Sequence, residues 1–264
     1  NFKDPAAPRV AITRHPDVRR MLMTMKVQSE TMRSMLYRLG HRHDVAHHDE
    51  SKKDKYMGRV DLLVPVLKAH CTDIGFDVTV TGVQVLGGYG YTQEYPMEQL
   101  VRDAKIASVY EGTNGIQAMD LLARKLRQKG GALLMDWIQD STKLCTESME
   151  DFPTEAGALA KAIQHVGATA MHLGGLGAQG KLDATLLQAS PFLRMFGTVH
   201  LGLEALHQAN TAKRVIAERG ETAHLKGKLL NLSFYTANLL PQAVALGKSI
   251  QAGDESCMDE ILFA

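Results

Sequence analysis

Apolar residues return at helical spacing along almost the whole chain, and alternating β-branched runs are nearly absent. In HPDVRRMLMTMKVQSETMRSMLYRLG (15–40) the apolar stripe is Val18, Leu22, Met25, Met32, Met35, Leu36 and Leu39. Pro16 suits a first helical turn and Gly40 a stop. The polar stretch HRHDVAHHDESKKDK (41–55) predicts a solvated loop, followed by a second helix from Met57 to about Leu86. DVTVTGVQV (77–85) is rich in β-branched residues, yet its neighbours keep the helical period, so we read it as helix. GGYGYTQEYP (87–96) predicts a turn region, with short helices over 97–109 and 116–127. KGG (129–131) marks a linker and the boundary between two units. Beyond it we expect helices over 132–148, 154–173, 183–219 and 222–251, the third bent or split by Pro191. The fold expected is all-α: an up-and-down helical bundle over 1–130 followed by a second helical bundle over 131–264.

Composition narrows the function classes. Thirty basic against 29 acidic residues leave a net charge of +1, with the signs interspersed, so no nucleic-acid or anionic-membrane footprint is expected. No apolar run approaches the roughly 18 residues of a membrane span. Cys71, Cys145 and Cys257 are far apart and odd in number, which points to a reducing, cytoplasmic setting rather than a disulfide framework. No charged-then-apolar leader is expected at the start, and Asn1 in place of Met suggests part of a longer protein.

Several segments offer chemistry. GGLGAQG (174–180) spells a dinucleotide fingerprint, but a helical pattern precedes it where a strand is required, so an interhelical turn is the better reading. His41, His43, His47 and His48 with Asp44 and Asp49 have metal-ligand character, yet sit in a strongly polar stretch; we assign no metal. The Met-rich stripe of 21–35 reads as core filler. In GVQVLGGYGY (82–91), Gln84 offers an amide, and Gly87 and Gly88 offer backbone N–H groups that a phosphate or ribose can approach closely. Glycine pairs also simply end helices. In VYEGTNGIQ (109–117), Glu111 is either an acid favourable to the next helix's dipole or a base. As a base it needs surroundings that exclude water, which Tyr110 and the apolar helices are expected to supply.

Taken together, QVLGGYGYTQEYPMEQLVRDAKIASVYEGTNGIQ (84–117) resembles the C-terminal signature of acyl-CoA dehydrogenases. The matching positions are Gln84, Gly87, Gly88, Gly90, Tyr91, Arg102, Asp103, Tyr110, Glu111, Gly112 and Thr113. HPDVRRMLMTMK and LLVPVLKAHCTDIGF resemble the longer bacterial branch, whose additional helical region would be 132–264. The resemblance implies an FAD enzyme that places an α,β-double bond in an acyl-CoA thioester. Glu111 would take the α-proton, and the β-hydride would pass to the flavin. Gln84, Gly87 and Gly88 would contact the FAD adenosine or pyrophosphate of a neighbouring subunit, and Thr113 the flavin's own phosphate-ribityl region. Gly112 and Tyr110 would border the substrate, and Arg102 with Asp103 would form an internal ion pair. Expected partners are an acyl-CoA, an electron-transfer flavoprotein as acceptor, and further copies in a homodimer or larger homo-oligomer.

The chain departs from the family pattern at Gly115, where many relatives have Gln, and at Pro16, where shorter relatives carry a flavin-contacting Gln. EYP (94–96) replaces a Trp-containing version. The family's N-terminal helical and middle β-domains have no counterpart here, so the chain alone is expected neither to hold FAD tightly nor to turn over substrate. Region 132–264 is expected to pack on the first bundle and widen a subunit interface. Two other readings remain open on the sequence: an acyl-CoA oxidase of the same fold, and a non-catalytic helical interaction module.

Overall fold

The polar stretch 41–55 is not a loop. In the computed structural model, which describes Asp4 and residues 6–263, α1 runs unbroken from Pro16 to His48 and α2 from Glu50 to Leu86. One residue, Asp49, makes the joint: its extended backbone breaks the helix and its carboxylate accepts from Ser51 N at 3.1 Å, capping α2. The core stripe of α1 continues past Leu39 to Ala46, so composition misled where periodicity persisted. The four histidines therefore lie exposed on the last turns of α1. Among the described residues no three His, Cys, Asp or Glu side chains come together as metal ligands.

Short elements follow: α3 (Gly88–Tyr91), α4 (Met97–Lys105) with a tighter turn to Ser108, and α5 (Asn114–Met119). Segment 77–85 is helical, as its neighbours implied. At the KGG site Lys129, Gly130 and Gly131 all adopt positive φ (51°, 66° and 90°), which turns the chain into α6 (Ala132–Glu147).

Three further expectations need correction. GGLGAQG is mostly helical, because α7 spans Pro153–Ala178 and only 179–181 turn. The expected helix 183–219 is split, as expected, into α8 (Leu182–Leu187) and α9 (Ala189–Arg219), but the break lies at Gln188, so that Pro191 falls in the first turn of α9 where its missing N–H costs little. The expected helix 222–251 is α10 (Ala223–Asn238) and α11 (Pro241–Ala252), because Pro241 starts a new helix.

Helix α9 is the axis of the packing. Phe192, Phe196, Val199, Leu203 and Leu206 are all buried, and α1, α2, α7, α10 and α11 pack around them. Trp137 of α6 meets Phe196 edge-on with ring centroids 4.5 Å apart. Tyr235 of α10 is buried and donates to Thr198 O at 2.7 Å. The apolar core is continuous across the KGG kink, from Val27 and Leu63 to Ile163 and Leu232.

Two polar latches tie α1 to the later helices. Glu204 of α9 is 1% exposed and accepts from Ser34 Oγ at 2.6 Å and Arg38 Nε at 3.1 Å, while Arg38 Nη2 reaches His207 Nε2 at 2.8 Å. Burial pushes the Glu204 carboxyl up and Arg38 opposes it. Glu30 accepts from Lys228 at 2.7 Å and Asn231 at 2.5 Å, both on α10, and also from Lys26.

Candidate functional site

The end of α2 folds back sharply into α3. Gly87 takes φ +62° between the two helices, and Gly90 packs so closely that a Cβ there would lie 2.6 Å from Val83 O. Gly90 is thus required by the chain's own packing. Gly88 is not, since a Cβ there would meet nothing within 4 Å. Gln84 is exposed and lines a cleft of about 900 Å³ between α1, α2 and α4. Arg102 lines the same cleft, together with Arg20, Glu98 and Tyr91. The expected Arg102–Asp103 ion pair does not form: both side chains are exposed, and among the described residues no salt bridge joins them.

The helix that follows the YEGT segment is capped by Thr113. Its Oγ1 accepts from Ile116 N at 3.3 Å and caps α5, so Glu111 is not the cap. Glu111 instead stands in the left-handed region at φ 55°, a conformation worth about 1–2 kcal/mol of strain for an L-residue. Gly112 follows at φ 80°, and a Cβ there would come 3.0 Å from Gln117 Nε2. Two successive positive-φ residues turn the chain away from Tyr110 and into α5.

The joint is held by a residue that sequence reading passed over. Asn114 Oδ1 accepts from Lys68 Nζ at 2.8 Å, and its Nδ2 donates to Ala69 O at 3.1 Å and Asp73 Oδ1 at 2.7 Å. Thr72 Oγ1 lies 2.9 Å from the same amide. All four partners belong to α2. In sequence Asn114 is simply a turn-former in T-N-G, and nothing local reveals partners so far upstream.

Glu111, Gly112 and Tyr110 are exposed, so the water-excluding surroundings expected of Tyr110 and the helices are not supplied within this chain. Ile106, Val109 and Tyr110, just upstream of Glu111 in the chain, leave more than half of their surface exposed. Such apolar exposure around one acid is typical of a surface that another segment covers. Gln84, Gly87 and Gly88 are thus neighbours at one corner, but of the expected site residues only Gln84 lines the cleft; Gly87, Gly88, Glu111, Gly112 and Thr113 do not.

Comparison with known proteins decides the family. Residues 3–126 match the family model for the acyl-CoA dehydrogenase C-terminal domain, and residues 134–260 match the acetyl-CoA dehydrogenase C-terminal-like model. The chain belongs to the acyl-CoA dehydrogenase family. It is 32% identical over 267 residues to a butyryl-CoA dehydrogenase of Syntrophomonas wolfei, covering 98% of this chain and 43% of that protein. It is 35% identical to the broad-specificity linear acyl-CoA dehydrogenase FadE5 of Mycobacterium tuberculosis, covering 97% and 44%. The chain therefore spans less than half the length of these acyl-CoA dehydrogenases. The fold is that of an acyl-CoA dehydrogenase from Bacillus anthracis solved with FAD, with a TM-score of 0.71 and 23% identity over 98% of this chain and 45% of that one.

Proposed function

We propose that this chain is the C-terminal part of an FAD-dependent acyl-CoA dehydrogenase, with Glu111 as the base that takes the α-proton of an acyl-CoA thioester. One observation carries the reading: Glu111 occupies a strained left-handed joint, clamped by Asn114 to α2, although Thr113 already caps the helix. A surface acid with no task needs neither the strain nor the clamp. A covering segment over Ile106, Val109 and Tyr110 would strip water from the carboxylate, as a base acting on a weakly acidic C–H requires.

The Gln84 corner fits a dinucleotide. The Gly87 N–H is spent on Gln84 O at 3.2 Å, but Gly88 has free space where a side chain would stand, so its backbone N–H is the one a phosphate can approach. Gln84 adds an amide. Thr113 spends its oxygen lone pair on Ile116 N and keeps its hydroxyl proton to donate. When bound, FAD supplies the acceptor for the electrons leaving the β-carbon. Gly112 and Tyr110 would border the thioester, with Gly112 leaving room that a side chain would take.

Residues 131–264 form a second helical unit laid on the first, 1–130, by way of α9. The intact enzyme is a homo-oligomer in the cytoplasm and passes electrons to an electron-transfer flavoprotein. The 264-residue chain on its own neither holds FAD tightly nor turns over; stoichiometric yellow flavin on the purified chain would overturn that.

The deciding experiment is Glu111→Gln in the full-length protein. The amide keeps the shape and removes the basicity, so kcat is expected to fall by about 10²–10⁴ with flavin content intact. Unchanged turnover removes Glu111 from the mechanism.

A further inference from the structure

A second cleft, of about 520 Å³, lies between α2, the start of α5 and the start of α9, and shares no lining residue with the Gln84–Arg102 cleft. Its two cations form no ion pair among the described residues, although both lie near enough to the Asp77 carboxylate to act on it. Bonds to Arg194 and Lys105 use only their backbone carbonyls, from Thr198 Oγ1 at 2.9 Å and Ser108 Oγ at 3.0 Å. The Arg194 guanidinium has no ion-pair or hydrogen-bond partner among the described residues, and the Lys105 ammonium has only the Phe76 ring, 5.0 Å away.

The start of α9 opens on the same space through Ser190 and Pro191. This helix of 31 residues has no side-chain cap and no acid in its first turn. Its positive dipole end is thus unanswered by the protein. A third, independent feature points inward as well. His70 is only 2% exposed, lines the cleft, and has no hydrogen-bond partner among the described residues. Its ring packs where Gly197 leaves room, since a Cβ at that glycine would come 2.3 Å from His70 Cγ. Burial holds the imidazole neutral, down to a pKa of about 3, so it offers one donor and one acceptor.

The α2 wall is of opposite character. Asp73 is engaged by Asn114, whereas the Asp77 carboxylate accepts no hydrogen bond among the described residues; burial pushes it up, and Arg194 and Lys105 oppose that from across the cleft. The cleft thus has a cationic end and a wall of hydrogen-bonding groups. Its volume suits a small molecule rather than a bare anion. Two cations with a helix end also exceed what one carboxylate would require.

We propose that this cleft binds a sugar phosphate, free or as the phosphoribosyl part of a larger nucleotide. The phosphate sits on Arg194, Lys105 and the α9 N-terminus, and the sugar hydroxyls sit on Asp77 and His70. The site goes beyond the dehydrogenase reading and does not depend on Glu111.

The test is calorimetric titration of the full-length protein with ribose 5-phosphate, AMP and inorganic phosphate at constant ionic strength. The organic phosphates are expected to bind saturably and more tightly than inorganic phosphate. Arg194→Gln should weaken them by about tenfold to a hundredfold. Asp77→Asn should weaken ribose 5-phosphate while sparing inorganic phosphate. Should Arg194→Gln fail to fold, Lys105→Gln takes its place, and Lys143→Gln on α6, outside the cleft, is the charge control. Competition by coenzyme A identifies the sugar phosphate as that of the thioester's nucleotide tail, and its absence identifies a separate ligand; either supports the site. No saturable binding, or binding undiminished in both Arg194→Gln and Lys105→Gln, overturns it.

Discussion

Asn114 Nδ2 donates to Asp73 Oδ1 at 2.7 Å, which pins the turn carrying Glu111 to the middle of α2. Lys68 closes the clamp from the other side at 2.8 Å. The position of the proposed base is therefore set by a helix that contributes nothing else to the YEGT motif.

Removing the clamp should loosen the turn. Asn114→Ala is expected to cost about 1–3 kcal/mol of stability, since charged and buried partners lose their bonds together. In the full-length protein kcat should fall more than KM rises, because orientation of the base is lost while substrate contacts stay. Thermal denaturation and steady-state kinetics check the two parts, and an unchanged kcat would reduce Asn114 to a structural residue.

The two glycines of the α2–α3 corner should respond differently to alanine. Gly90→Ala drives a methyl to 2.6 Å from Val83 O and is expected to destabilise by about 1–3 kcal/mol. Gly88→Ala meets no protein atom within 4 Å, so stability should hold while flavin retention in the full-length protein drops. Chemical denaturation and the flavin-to-protein absorbance ratio separate these outcomes.

Acid should destabilise the fold early. His70 and His207 are held neutral down to about pH 3 and His200 well below its usual 6.5, chiefly by burial, with Arg38 and Arg42 adding to it at His200 and His207. Between pH 6.5 and 3 the unfolded chain binds protons that the folded chain refuses, so stability falls as pH drops through that window and is level above it. Glu204, raised by burial, opposes this with at most one proton. His207→Gln should flatten the pH dependence of the denaturation midpoint below 6.5; an unaltered slope would show that His207 titrates normally.

The Glu30 latch should contribute to the union of α1 with α10. Glu30→Gln keeps the shape but weakens the bonds to Lys228 and Asn231, and a loss of about 1–3 kcal/mol is expected in denaturant titrations. Lys228 helps to hold the Glu30 carboxyl below its usual range, so the wild-type advantage should shrink as pH falls through that lowered value.

Much of this was legible in the order of residues alone. Helical periodicity located most of the helical segments, Pro16 stands at a helix start, and the positive φ values at 129–131 fall where KGG marked a break, whereas the helix start at Pro241 went unread. Errors arose where composition was allowed to outvote period. The His- and Asp-rich stretch 41–48 stayed helical because Ala46 keeps the buried stripe, and the glycines of 174–177 stayed in α7 because helical neighbours on both sides hold them.

What the sequence determined by itself is local: which segments coil, where they stop, and the Gln84–Gly88 and Tyr110–Thr113 motifs that mark the family. Tertiary structure alone decided that Thr113 rather than Glu111 caps α5, that Arg102 faces a cleft instead of Asp103, and that Asn114 clamps the joint. It also placed Arg194 and His70, more than a hundred positions apart, in one cavity. Periodicity and propensity act over a few residues, whereas these pairings depend on the directions in which distant helices present their side chains.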